Sequence, residues 1–184
     1  DEGLLIPPCK LVDAGRVNPL LMEIIRVNSR EPVQNEGDIY ALISCCEVGC
    51  SRLTEMMWEF GIDDLEALAT YIINSSKQGA IEAIRAVPNG TYRHSLKIDG
   101  YDFEIVLEAA LTVRDEEMHL DFAGSSGASQ MGINCCLSYA TAYAVFAIRC
   151  LVGPDIPNNA GSLEPFRVSA PEGSIVNARH PAPV

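Results

Sequence analysis

The apolar residues of this chain first change period at Pro88-Asn89-Gly90. Before that point they recur at three- and four-residue intervals, and from there to Phe122 they alternate. One segment is therefore built to bury a helical stripe and the next to bury one face of a sheet. Asn18-Pro19 reads as a helix start, with a capping side chain followed by a proline suited to the first turn, and Leu20, Leu21, Ile24 and Ile25 follow at helical spacing. A second helix is expected over 35–60, with an apolar face of Ile39, Leu42, Ile43, Cys46, Leu53, Met56, Met57 and Phe60, stopped by Gly61. Asp63 or Asp64 caps a third, which carries Leu65, Leu68, Ile72, Ile73, Ile81 and Ile84. Residues 3–13 read as extended, because paired prolines bar helix.

Past Gly90, Tyr92, Leu96 and Ile98 form one alternating run, and Asp99-Gly100 signals a hairpin. Phe103 to Val113 and Met118 to Phe122 form two more runs, with a charged turn at Arg114-Asp115-Glu116-Glu117 between them. A helix over 134–152 and a short strand near Phe166 to Ala170 complete the chain. Helices and strands are segregated, so the expected class is α+β: a helical segment over 1–88, then a segment over 89–184 with an antiparallel β-meander, a buried helix and a C-terminal strand.

Charge excludes one class of partner. With 25 acidic against 13 basic residues, the net charge is -12, and no basic run or basic-aromatic interleaving offers a phosphate backbone a face. No apolar run reaches the roughly 18 residues that span a bilayer, so neither nucleic acid nor membrane is an expected partner. The seven cysteines fit no zinc or iron-sulfur spacing. Cys46 and Cys50 stand four apart on one helix, within reach of a common metal, but reduced thiols in a cytoplasmic protein are the reading adopted.

The most site-like stretch runs from Asp121 to Asn134. Asp121 and His119 leave their strand on the face opposite Leu120 and Phe122, a placement that would allow an acid-base pair. Gly124-Ser125-Ser126-Gly127 offers backbone N–H groups and two hydroxyls, and Gln130 and Asn134 add amides. Such a turn suits an anion or a developing oxyanion. It would equally serve to satisfy turn backbone and cap the next helix. Arg149, inside an apolar helix, is expected to pair with a carboxylate such as Asp121 or to reach for solvent. No phosphate-binding loop, dinucleotide fingerprint, Gly-x-Ser-x-Gly elbow or His-Glu-x-x-His motif is present.

Several ordered blocks resemble the hydantoinase B/5-oxoprolinase family. Gly3-Leu4-Leu5-Ile6-Pro7-Pro8-Cys9-Lys10-Leu11 is similar to its Gly-Leu-x-Ile-Pro-Pro-Val-Lys-Leu segment. Asn28-Ser29-Arg30, Glu36-Gly37-Asp38-Ile39-Tyr40-Ala41 and Pro88-Asn89-Gly90-Thr91-Tyr92 follow in order. Asp121-Phe122-Ala123-Gly124-Ser125-Ser126 with Gln130, Gly132 and Asn134 is similar to Asp-Phe-x-Gly-Ser-Ser-x-Gln-x-x-Gly-x-Asn. Asp155-Ile156-Pro157-Asn158-Asn159 and Pro171-Glu172-Gly173-Ser174 come last. Leu42 stands where glutamine is usual, and Cys135-Cys136 where a proline-containing pair is usual.

The resemblance implies ATP-dependent hydrolysis of cyclic amides: hydantoins, 5-oxoproline or related lactams. It implies a hetero-oligomer with a hydantoinase A-like subunit that carries ATP and magnesium. It also implies a divalent metal in the full subunit, held by a His-His-Ala-Asp-type run upstream of the Ile-Pro-Pro block, so none of its ligands is expected here. The chain lacks an initiator methionine and stops at Pro181-Ala182-Pro183-Val184; it is expected to be an internal piece of a longer subunit, inactive alone. Asp121, Ser125, Ser126 and Asn134 are expected to line or support the substrate pocket, hydrogen bonding to the substrate amide or an anionic intermediate. An ATP-dependent ketone carboxylase subunit and a non-catalytic docking region are the alternatives.

Overall fold

The computed structural model describes residues 4, 6–101 and 103–184. The chain packs as two compact units, Asp1–Leu65 and Glu66–Val184.

In the first unit, β1 (Val12–Asp13) and β2 (Arg16–Val17) form a minimal antiparallel hairpin. Ala14 and Gly15 turn it with φ of 48° and 75°, the left-handed pair that such tight turns need. Helix α1 (Pro19–Asn28) starts as expected: the Asn18 side chain accepts from the N–H groups of Leu20 and Leu21 at 3.1 and 3.3 Å. Helix α2 (Pro32–Phe60) has 29 residues, about 43 Å at 1.5 Å per residue. The guanidinium of Arg26 forks onto the Glu36 carboxylate at 2.9–3.1 Å, tying α1 to the start of α2.

The expected apolar face of α2 is not buried. Ile39, Ile43, Met56 and Met57 are half-buried, whereas Leu42, Cys46, Leu53 and Phe60 are exposed. The reason is length: α1, about 15 Å long, packs on α2 and cannot cover a helix nearly three times as long. Gly61 ends α2 in the left-handed region at φ 63°, and the Ile62 N–H closes onto the Met57 carbonyl at 2.8 Å. Open space surrounds the position a Cβ would take. Gly61→Ala is therefore expected to cost about 1 kcal/mol through backbone strain alone. Chemical denaturation will show it, and Gly61→Asn should cost less.

In the second unit, α3 (Glu66–Arg85) leads into a four-stranded sheet of order β3 (Gly90–Ile98), β4 (Ile105–Arg114), β5 (Glu117–Asp121) and β6 (Phe166–Ser169). The first three strands form the expected antiparallel meander. β6 lies parallel to β5, with Asp121 opposite Ser169. Between them run α4 (Leu137–Leu151) and α5 (Ala160–Leu163), the kind of crossover a parallel pair requires. The class is α+β, with a helical N-terminal segment and a short C-terminal strand.

The core lies between one sheet face and the helices: Ala80 and Ile84 of α3, Val113 and Met118 of the sheet, Val145 of α4 and Phe166 of β6. Helix α3 thus belongs by packing with the sheet, although its period groups it with the preceding helices. Only its C-terminal half is buried, at Ser76, Ala80, Ile81 and Ile84. The Asn89 side chain bridges the turn before β3 to Asp115 in the β4–β5 turn at 2.7 and 2.8 Å. Helix α4 buries one stripe, while Tyr143, Phe146 and Leu151 remain exposed.

Candidate functional site

β5 pairs with β4 only over Ala110 to Arg114. The remainder of that β4 edge would be left with unpaired backbone groups, which are costly when water is excluded. The chain after β5 returns along this edge and satisfies it. The Ser126 N–H donates to the Val106 carbonyl at 2.8 Å, and the Ser126 hydroxyl accepts from the Val106 N–H at 2.9 Å. The Ser125 hydroxyl accepts from the Glu108 N–H at 3.0 Å and donates to the Glu108 carbonyl at 3.2 Å. Gly124 makes this return possible: its φ is 96°, and a Cβ there would press to 3.2 Å from the Glu108 side chain.

The strand-like course continues. The Ser126 carbonyl accepts from Ile175 at 2.9 Å, and the Cys135 N–H donates to the Ile175 carbonyl at 2.7 Å. Asn134, 5% exposed, pins the loop from within. Its Oδ1 accepts from the Ser129 N–H at 2.8 Å, and its Nδ2 donates to the carbonyls of Ser129, Met131 and Pro183 at 3.0, 3.1 and 2.6 Å.

These bonds fix one wall of a groove of about 550 Å³. Ile133, Cys135, Ile175 and Val176 form that wall, facing Ile98, Tyr101, Ile105 and Leu107. Asp99 adds a carboxylate at the rim. Burial pushes the Cys135 thiol above the usual range. Its neighbour Cys136, exposed at the start of α4, has its thiol lowered by hydrogen bonding to the Ser138 hydroxyl and to the Tyr139 backbone.

Asp121 stands elsewhere. Strand alternation places it on the sheet face opposite Leu120, with His119 beside it. Ser169 joins the two: its hydroxyl donates to Asp121 Oδ1 at 2.8 Å and lies 2.8 Å from His119 Nε2. The Ala123 N–H also donates to Asp121 Oδ1, at 3.2 Å. Next to this chain lies a polar cleft of about 290 Å³ walled by Thr112, Arg114, Glu117, His119 and Arg167. Ser126 and Asn134 therefore hold the apolar groove, Ser125 holds the β4 edge, and Asp121 belongs to a hydrogen-bonded chain on the other face. Gln130 is exposed.

The sequence reading did not find Ser169. Its only signal is parity within the last strand, and nothing in the sequence shows that this strand pairs with β5. Arg149 does not pair with Asp121. It is held by Asn158, Ser162 and the carbonyls of Gly153 and Ile156, whereas Asp121 leaves β5 on the face opposite the helices. Among the described residues, no group of three or more His, Cys, Asp and Glu is placed to hold a metal ion. The ligands of the metal that the family resemblance implies are expected upstream of this chain, and no chemical step is assigned through one.

A mixed four-stranded sheet, helices on one face and a serine-rich return strand along β4 define an α+β protein with a small-molecule-sized groove beside that return. The hydantoinase B/oxoprolinase family model matches residues 1–184, and the chain belongs to that family. It is 27% identical over 186 residues to the beta subunit of a caprolactamase from Pseudomonas jessenii, covering 99% of this chain and 32% of that protein. The crystal structure of an ATP-dependent caprolactamase from the same organism superimposes with a TM-score of 0.83 at 28% identity, over 99% of this chain and 32% of that one. An acetone carboxylase in its nucleotide-free form shares the fold, with a TM-score of 0.78 at 19% identity, over 96% of this chain and 25% of its own. The chain spans about a third of the length of the hydantoinase and caprolactamase subunits it matches, and 12–15% of the 5-oxoprolinases.

Proposed function

We propose that this chain is part of a subunit that hydrolyses cyclic amides in an ATP-coupled reaction, the substrate being a hydantoin, 5-oxoproline or a related lactam. The observation that carries this reading is the match of the chain to an ATP-dependent caprolactamase along nearly its whole length. The sequence has no phosphate-binding loop, so ATP and magnesium are assigned to a companion hydantoinase A-like subunit. The caprolactamase relative is itself one subunit of an assembly, which fits such a hetero-oligomer. No helix among the described residues is long and apolar enough to cross a membrane. The seven cysteines are all free thiols, and a reducing cytoplasm suits them.

Within this reading the groove receives the ring's methylene surface, and its volume lies in the range of small-molecule sites. Ser125, Ser126 and Asn134 support the wall rather than presenting free donors, since their polar atoms are committed to backbone. Asp121 lies on the opposite sheet face, so it acts at the polar cleft beside His119 and not on a ring seated in this groove. Through Ser169 it orients the His119 ring, and a carboxylate–hydroxyl–imidazole chain can relay a proton.

Asp121→Ala in the whole protein, assayed with its companion subunit, is expected to lower lactam-dependent ATP turnover by roughly ten- to a hundredfold, with the unfolding midpoint little changed. Unaltered turnover would sink the assignment of Asp121. Release of the ring-opened acid in step with ADP tests the reaction class. A strict bicarbonate requirement without ring opening would assign the subunit to ketone carboxylation instead.

A further inference from the structure

Arg149 is 9% exposed, and its charge has no carboxylate partner among the described residues. Four of its five N–H groups meet neutral oxygens: Asn158 Oδ1 at 2.9 Å, the Ser162 hydroxyl at 3.2 Å, and the carbonyls of Ile156 and Gly153. The fifth, on Nε, is buried with no partner. A desolvated guanidinium of this kind is expensive unless an anion offsets it. The C-terminal end of α4 supplies only a partial negative charge.

The same side chain stands in the wall of a second groove, of about 440 Å³. The rest of that lining is mainly apolar, chiefly Val145, Phe146, Ile156, Leu163 and Phe166, with Cys150 exposed at its edge. An apolar trough with one uncompensated cation fits a ligand with a hydrocarbon body and a single negative end. Inorganic phosphate is too strongly hydrated for such walls, and a neutral amide leaves the charge unanswered.

We propose that this groove binds a small aliphatic monocarboxylate, its stem against Val145, Phe146 and Leu163 and its carboxylate beside Arg149. The inference rests on this groove alone and stands apart from the lactam reading.

The test uses the whole protein, hexanoate as probe, and alkylation of Cys150 by iodoacetamide followed by peptide mass spectrometry. Cys150 should react in the free protein, and saturating hexanoate should slow that reaction at least fivefold. Hexanamide should need at least a tenfold higher concentration for the same protection, and inorganic phosphate should give none. Arg149→Gln should abolish the preference for hexanoate over hexanamide. If that variant does not fold, Ala142→Trp, which fills the trough from a position about two helical turns before Arg149, should abolish protection by hexanoate. Equal protection by hexanamide or phosphate, or protection that survives Ala142→Trp, would overturn the proposal. So would a Cys150 that is inert before any ligand is added, because the groove is then filled by polypeptide. None of these outcomes depends on whether the protein opens lactams.

Discussion

Ile84→Ala is expected to lower stability by about 2–5 kcal/mol, the range for deleting a large aliphatic side chain from a core that cannot collapse around the gap. Ile84 is 0% exposed and packs in the cluster that includes Val113, Met118 and Phe166. A loss of that size is a large share of the roughly 5–15 kcal/mol typical of a domain. It should appear in urea as a lower midpoint at constant slope. Ile72→Ala on the same helix is the control: Ile72 is 43% exposed and should cost well under half as much. The pair also tests where the chain divides. If α3 belongs with the sheet, as Glu66–Val184 packs, the Ile84 loss falls on the sheet's own unfolding transition. A loss below about 1 kcal/mol would mean that α3 is not docked as described.

Much of this arrangement was legible in the sequence because it is local. The switch of period at Pro88-Asn89-Gly90 marks the start of the sheet, since a two-residue repeat exposes half of any helix it might form. Asn18 and Gly61 mark helix ends because capping depends on neighbours within a few residues. Parity along β5 put His119 and Asp121 on one face. What was not legible depends on the partner. Ser169 reaches Asp121 only because β6 lies parallel to β5, and four residues of alternating sequence say nothing of which edge they will occupy. The stripe of α2 reads as buried because its residues are apolar, but burial also needs a neighbour of matching length. By composition Ser125 and Ser126 suit either a ligand or turn backbone. Their hydroxyls serve the β4 edge because β5 ends short of it, and that mismatch exists only once the strands are paired.

The largest polar effect is expected at Asn134, where the two ends of one amide do different work. Asn134→Ala leaves the buried Ser129 N–H without an acceptor, at about 1–3 kcal/mol, and frees three carbonyls as well. Asn134→Asp should be worse at neutral pH. The change keeps an acceptor for Ser129 but turns a donor to three carbonyl oxygens into a carboxylate oxygen facing them, a buried negative charge against negative dipoles. Desolvation and those dipoles would raise the pKa of the introduced carboxyl when folded. A group raised on folding binds more protons in the native state, so stability should recover as pH falls toward the ordinary carboxylate range. Asn134→Ala carries no titrating group there and should show no such recovery. Because Asn134 sits between Ile133 and Cys135 on the wall of the 550 Å³ groove, both variants should also raise the KM for lactam more than they lower kcat, as expected when a binding wall shifts and the reacting groups stay in place. A stability loss with KM unchanged would separate the loop from the substrate site and leave Asn134 as a purely architectural residue.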